Sequence, residues 1–340
     1  MKGAIVVSQE MGKRRMTLVI LRNILMEETD PKHPLPLKDL IAILTQRGYP
    51  VERKALYRDL NTLRQMGLDV IYRNGAGGGW FVRERVLEMA ELKLLMDAVQ
   101  AAQFITPART DRLIARLTSL GSRHQAHQLR HHLYVDRRLK TDSDLVCRNA
   151  ERLHGAMEEG RAVTFRYFTY NLAGQKVLRH GGMKYTVSPK ALILNQERYY
   201  LAAWDHAKRE MRHYRVDKMQ DVTRIGQSQQ GPALETFDPA GYAQRYFGMF
   251  RGKRARVTLR CQTPLAGVMR DRFGQDAPLR PDPRRGGFVL EIEVEISPQF
   301  YGWLFGLGGQ AILEAPYWAV QEYRQYLQTA LEDHRPFHES

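Results

Sequence analysis

The sequence predicts an α+β multidomain protein: a winged helix-turn-helix, a helical linker, a small β-barrel and a small α+β C-terminal domain. Three observations predict it. Apolar residues recur at helical spacing up to about residue 160, then give way to short strands rich in β-branched and aromatic residues. The stretch "YRNGAGGGWFV" (72–82) sets a glycine cluster between two apolar runs, directly after a basic helix. The charge excess, 52 Lys+Arg against 37 Asp+Glu for a net +15, is concentrated in residues 1–85 and 146–235. A chain of 340 residues can build several separate cores, and this balance favours a polyanionic partner. The expected ranges are 12–85, 86–159, 160–226, 227–254 and 255–335.

In the first range, Met16, Val19, Ile20 and Ile24 recur at helical spacing, with Leu25 widening the face. A second helix, 37–47, carries Leu40, Ile41 and Leu44 on one side, and Gly48 fits its stop. A third, about 52–66, buries Leu56, Leu60 and Leu63 and presents Arg53, Lys54, Tyr57, Arg58, Asn61 and Arg64 on the other face. Helix, short glycine-containing turn and basic-aromatic helix are the grammar of a helix-turn-helix, whose second helix reads base edges in the major groove. Those six residues are the expected readers of a double-stranded DNA operator. Asp59 is expected to pair within the fold. A phosphate-binding loop would lead from the glycines into a helix. Here Trp80-Phe81-Val82 continues as a strand, so the glycines are expected to supply the positive-φ positions of a hairpin tip. That hairpin is the wing, with Arg73 and Asn74 as phosphate contacts.

Residues 86–159 read as helices: an amphipathic connector, one at about 109–120 and one at about 143–159. His124, His127 and His131 share a helical spacing, but no Asp, Glu or Cys completes a ligand set, so no metal site is assigned. The stretch reads as a polar linker. From Ala162, "VTFRYF", "KYTVSPKALIL", "ERYYLAAW" and "MRHYRVDKMQDVTRI" describe a small antiparallel barrel or strongly bent sheet. Its strands interleave cations with tyrosines, a pattern that suits stacking on bases and contact with phosphates, although tyrosine is also an ordinary strand residue. Residues 227–254 read as a loop. The last range reads as a strand, a helix at about 264–273, the strand "GFVLEIEVEIS", and helices at about 298–306 and 316–333. Glu291, Glu293 and Glu295 alternate with Ile292, Val294 and Ile296, giving one solvated and one buried face.

"VSPKALILNQERYYLAAW" followed by "RHYRVDKM" resembles a WYL domain. Tyr199-Tyr200-Leu201 stand at the Trp-Tyr-Leu position, and Arg212, Tyr214, Arg215, Asp217, Lys218 and Met219 at the family's later basic motif. Tyr199 replaces Trp, Lys218 replaces Arg and Met219 replaces Ile. Tyr185, with Lys184 beside it, stands where the family often has Arg four residues before the barrel proline, here Pro189. The resemblance implies an Sm-like barrel in a bacterial transcription regulator that binds DNA as a homodimer, with the C-terminal domain aiding dimerisation. It also implies a nucleotide or single-stranded nucleic-acid effector, expected to meet some of Tyr167, Lys184, Tyr199, Arg212, Arg215 and Lys218. The alternative is a barrel that only adds phosphate contacts and senses nothing.

No catalytic motif is present, so no catalytic residue, cofactor or enzyme activity is expected. Cys147 and Cys261 lack metal-ligand spacing. The apolar patch Ala4–Val7 is too short for a signal sequence, and Tyr301–Leu313 is too short and glycine-broken to span a bilayer. These features predict a cytoplasmic protein with no membrane partner.

Overall fold

The computed structural model describes residues 2–131 and 144–334, which divide into two compact units, 1–144 and 145–340. The first unit opens with α1 (Lys2–Glu28), α2 (Leu37–Gln46) and α3 (Arg53–Gln65), followed by the antiparallel hairpin β1 (Val70–Arg73) and β2 (Gly79–Val82). Leu56, Leu60 and Leu63 of α3 meet Leu40 and Leu44 of α2 in one core with Val70, Trp80 and Val82. Gly48 and Gly67 take positive φ just past α2 and α3, where a Cβ would be strained.

The buried stripe of α1 differs from the expected one. Leu21, Ile24 and Leu25 are buried, whereas Met16 and Val19 are exposed. The helix meets its neighbours along its C-terminal turns, so the Leu21–Leu25 spacing governs rather than the stripe begun at Met16.

Helices α4 (Met89–Ala101), α5 (Pro107–Thr118) and α6 (Arg123–His131) complete the unit. The histidine-rich stretch is helical rather than a plain linker over its described part. His124 stacks on His33 at 3.8 Å between ring centroids. Nearby, the buried Asp30 carboxylate accepts from Ser122 Oγ at 2.5 Å and from His33 Nδ1 at 2.9 Å. Positions 132–143 of the expected linker, and position 335 at the end of the C-terminal range, lie outside the described residues.

The second unit starts with α7 (Leu145–Glu158) and a curled antiparallel half-barrel. Its strands are β3 (Arg161–Tyr170), β4 (Lys176–Leu178), β5 (Tyr185–Asn195), β6 (Arg198–Asp205), β7 (Glu210–Arg215) and β8 (Met219–Ser228). They run in the order β4-β3-β5-β6-β7, and β8 pairs with β3. Register shifts in β3/β8 and at Pro189/Ala191 bend the sheet. Helix α7 is fixed to it by polar bonds: Asn149 Nδ2 donates to the carbonyls of Val216 (3.1 Å) and Met219 (2.9 Å).

The stretch expected as a loop holds a helix, α8 (Pro239–Arg245), capped by Asp238, which accepts from the amides of Ala240 and Gly241. The aspartate-proline pair is a helix-start signal already present in the sequence. Tyr242, Tyr246 and Met249 pack with Ile193, Tyr200 and Ala202, so this connector is part of the barrel's outer layer.

Beyond it lie β9 (Lys253–Cys261), α9 (Ala266–Phe273), β10 (Leu279–Pro281), β11 (Phe288–Ile296), α10 (Pro298–Phe305), β12 (Ala311–Ala315) and α11 (Tyr317–Asp333). The sheet order is β10-β11-β9-β12 over a core around Leu259, Leu290 and Phe300. Glu291 and Glu293 are exposed, while Glu295 is half-buried and accepts from the Gly252 amide. Among the described residues no helix is long and apolar enough to cross a membrane.

Candidate nucleic-acid interface and effector site

Because Leu56, Leu60 and Leu63 fix the inner face of α3, all six expected readers stand exposed on its outer face. Asp59 is turned inward and buried. Arg53 lies over the Tyr57 ring at 5.9 Å, and Tyr57 meets Trp80 edge-on at 6.0 Å.

Arg64 has a second task. Its Nε donates to the Val70 carbonyl at 2.5 Å and its guanidinium sits 5.0 Å over the Trp80 ring, bracing the helix to the hairpin. Arg73 is likewise engaged, donating to the Pro31 carbonyl at 2.9 Å, whereas Asn74 is exposed at the tip.

The glycines divide by role. Gly75 and Gly77 take φ of +100° and +71°, as a hairpin tip requires. Gly78 and Gly79 are needed for room instead. A Cβ on Gly79 would lie 2.4 Å from the Leu35 carbonyl carbon and oxygen, and one on Gly78 would lie 2.3 Å from the Arg73 oxygen. The close approach at Gly79 lets Leu35 and Trp80 exchange two backbone bonds of 2.9 and 2.8 Å, so the α1–α2 loop becomes a third rung on the hairpin. The positive-φ positions expected of the glycines are supplied by Gly75 and Gly77, whereas Gly78 and Gly79 do not take positive φ.

On the half-barrel, the six expected effector residues fall into separate groups. Tyr167, Arg215 and Lys218 stand together. The Tyr167 hydroxyl accepts from the Arg215 amide at 3.1 Å, and burial pushes its pKa up to about 12, so it stays a neutral phenol. Arg215 is paired bidentately with Asp217 at 3.0 and 2.7 Å, and Arg198 reaches the same carboxylate at 3.7 Å. Lys218 lies near these groups and Arg179, and burial followed by the Arg215 charge lowers its pKa. One carboxylate thus sits among four cations.

Lys184 and Arg212 line a second site, a depression of about 600 Å³ that includes His180, Tyr185, Asp205 and Lys208. The aromatic cluster of Phe165, Tyr167, Tyr185 and Tyr214 separates and supports the two sites; the Phe165 and Tyr185 rings stack at 5.4 Å. Tyr214 donates to Asp205 at 2.6 Å, and burial with that bond raises its pKa. Tyr199 stands on the face of β6 opposite Tyr200, which turns into the α8 cluster.

Arg212 is not an idle cation either. Its Nε donates to Glu210 at 2.9 Å, and Arg251 of the connector donates to the other oxygen of Glu210 at 2.9 Å. The Arg251 hydrogen bond leads in holding the Glu210 carboxyl below the usual range. On the other face of β7, His213 Nε2 donates to the Met249 carbonyl and its Nδ1 lies 3.2 Å from the Tyr242 hydroxyl. Burial lowers the His213 pKa to about 4. Glu210, His213, Tyr242 and Arg251 were not among the residues singled out from sequence. The bonds that join β7 to the connector through them span 29 to 41 residues, beyond any local pattern.

Two family models match this unit: the WYL domain over residues 148–224 and the WCX domain over 253–331. The chain carries a WYL domain followed by a WCX domain. The WYL match takes in α7 with the half-barrel, and the WCX match covers the four-stranded domain that follows. Among solved structures, this WYL-domain chain is similar to proteasome accessory factor B/C (PafBC) of Arthrobacter aurescens, at 17% identity and a TM-score of 0.30. That alignment covers 94% of this chain and 49% of the other, so the WYL protein spans about half the length of that relative. A CRISPR Cas-related protein is similar at 12% identity and a TM-score of 0.35, covering 72% of this chain and 70% of that one. No curated protein matches the chain.

Proposed function

We propose that this WYL-domain protein is a DNA-binding transcriptional regulator whose half-barrel binds a nucleotide or single-stranded nucleic-acid effector. The observation that carries the proposal is the outer face of α3. Arg53, Lys54, Tyr57, Arg58, Asn61 and Arg64 all stand exposed there, beside a hairpin to which the helix is braced. In this reading residues 12–85 form a winged helix-turn-helix. Arg58 and Asn61 read base edges, Arg53 and Lys54 meet phosphates, and Asn74 touches backbone from the wing. Arg64 contributes by holding helix and wing at a fixed angle.

The effector reading rests on the two cationic groups around the Tyr167–Tyr185–Tyr214 cluster: Tyr167, Arg215 and Lys218 on one side, Lys184 and Arg212 on the other. Rings and cations in such proximity suit a ligand with bases and phosphates. Tyr199 belongs to the same proposed site through the neighbouring β6. The Sm-like barrel, the homodimer and a bacterial cytoplasmic setting complete the proposal. An effector can alter operator affinity only by binding one arrangement of the protein more tightly than another.

The test is a pair of substitutions at equal salt. Neutralising Lys184 and Lys218 leaves operator binding intact and abolishes the response to added single strands. If instead it weakens binding to every duplex and flattens the salt dependence, the barrel only adds phosphate contacts.

A further inference from the structure

Resting on that reading, we infer that Glu210 is a relay that couples an anion in the Lys184–Arg212 depression to the connector leading into the C-terminal domain. Three observations place it there. Glu210 and Arg212 are two apart on β7 and so share a face. The Glu210 carboxylate is divided, one oxygen to Arg212 and the other to Arg251. Arg251 stands between two anchors of the connector: Met249, whose carbonyl accepts from His213, and Gly252, whose amide donates to Glu295 and whose Cα runs tight against the Ile296 backbone.

The physics follows from one carboxylate serving two cations. A phosphate group seated on Arg212 brings a third anion beside Glu210 and Asp205, the latter 4.0 Å from Arg212. Like charges repel, Arg212 turns part of its donor set to the phosphate, and Glu210 shifts its pairing to Arg251. The connector is then held more firmly just before β9. By linkage, the effect runs in reverse: freeing Arg251 leaves Glu210 to Arg212 alone and weakens anion binding. The ligand chemistry is a phosphate or pyrophosphate group, whether free or at the end of a strand.

The experiment is a double-mutant cycle on the full chain, with inorganic pyrophosphate as the probe and calorimetric affinity as the readout. Arg251→Gln lowers pyrophosphate affinity about two- to five-fold, the scale of one exposed ion pair. Glu210→Gln raises affinity, because Arg212 is released. In the Glu210→Gln background Arg251→Gln then changes affinity little. Hydrogen exchange of amides 247–252 slows on saturation with pyrophosphate in the wild type and not in Glu210→Gln. Equal losses in both backgrounds mean that Arg251 acts through its field alone, and overturn the relay. Pyrophosphate binding that Arg212→Gln does not weaken also overturns it, since the anion then sits elsewhere. If pyrophosphate binds nowhere on the chain, the anion-binding reading of the barrel fails and takes the relay with it. A 5′-phosphorylated oligothymidylate compared with its unphosphorylated form separates a strand end from free pyrophosphate as the source.

Discussion

Gly79→Ala is the sharpest single perturbation of the α3–hairpin assembly. The added Cβ would lie 2.4 Å from the Leu35 carbonyl carbon and oxygen and 2.7 Å from Pro36 N, all backbone atoms that cannot rotate away. Relief requires the 35–36 segment to leave the hairpin, which breaks both Leu35–Trp80 backbone bonds. At about 1 kcal/mol each, with some further cost for stranded polar groups, the substitution destabilises this region by about 2–4 kcal/mol. Gly75→Ala meets open space at a φ of +100°. It carries a backbone penalty of about 1–2 kcal/mol. The assay is hydrogen-exchange mass spectrometry of the intact chain. Peptides spanning 29–36 and 78–83 lose protection by roughly 30- to 1,000-fold in Gly79→Ala, the equivalent of that energy, and clearly less in Gly75→Ala. A Gly79→Ala protein that exchanges like the wild type, or a Gly75→Ala protein that exchanges faster than Gly79→Ala, would refute the packing role given to Gly79.

Other consequences follow from the same geometry. Arg64→Ala removes the Val70 bond and the stacking on Trp80, so it loosens the hairpin by about 1–2 kcal/mol in the same exchange assay; Arg64→Lys recovers little because the flat guanidinium is lost. Tyr214→Phe leaves the buried Asp205 carboxylate short of a donor and costs about 1–3 kcal/mol by urea denaturation. His213, with its pKa lowered in the fold, binds a proton more readily when unfolded. Its contribution is therefore complete above the unfolded pKa near 6.5 and is lost as pH falls toward 4, amounting to about 3 kcal/mol at most. His213→Gln flattens stability against pH in that window, read by denaturation at pH 7, 5.5 and 4.5; an unchanged slope would remove His213 as its source.

The elements were legible where local spacing decides them. The leucines of α3 fix its inner face, and the strands of the half-barrel and α9, α10 and α11 lie where composition and turn residues place them. The site was legible as a set of residue types and less so as a geometry. Arg212 and Arg215 look like available cations in sequence, but each has an acid two positions away on its own chain, Glu210 and Asp217, and is paired with it. Arg64 and Arg73 are held by backbone carbonyls that the fold brings to them. The contact between the connector and β7 was illegible, because Arg251 meets Glu210 across 41 residues and Met249 meets His213 across 36. The α8 start was readable at Asp238-Pro239, but the glycine- and proline-rich surroundings read as loop.

In the proposed function, α3 reads duplex DNA while the half-barrel answers to a separate ligand. Fluorescence anisotropy tests it most directly, using a duplex from the gene's upstream region and a nonspecific duplex at one salt concentration while short single-stranded DNA is titrated in. On that basis Arg58→Ala and Asn61→Ala each lower upstream-duplex affinity by about 5- to 150-fold, and nonspecific affinity far less. The single strand shifts upstream affinity without an equal shift on the nonspecific duplex. Equal competition on both duplexes, with Arg58→Ala and Asn61→Ala binding like the wild type, would contradict it.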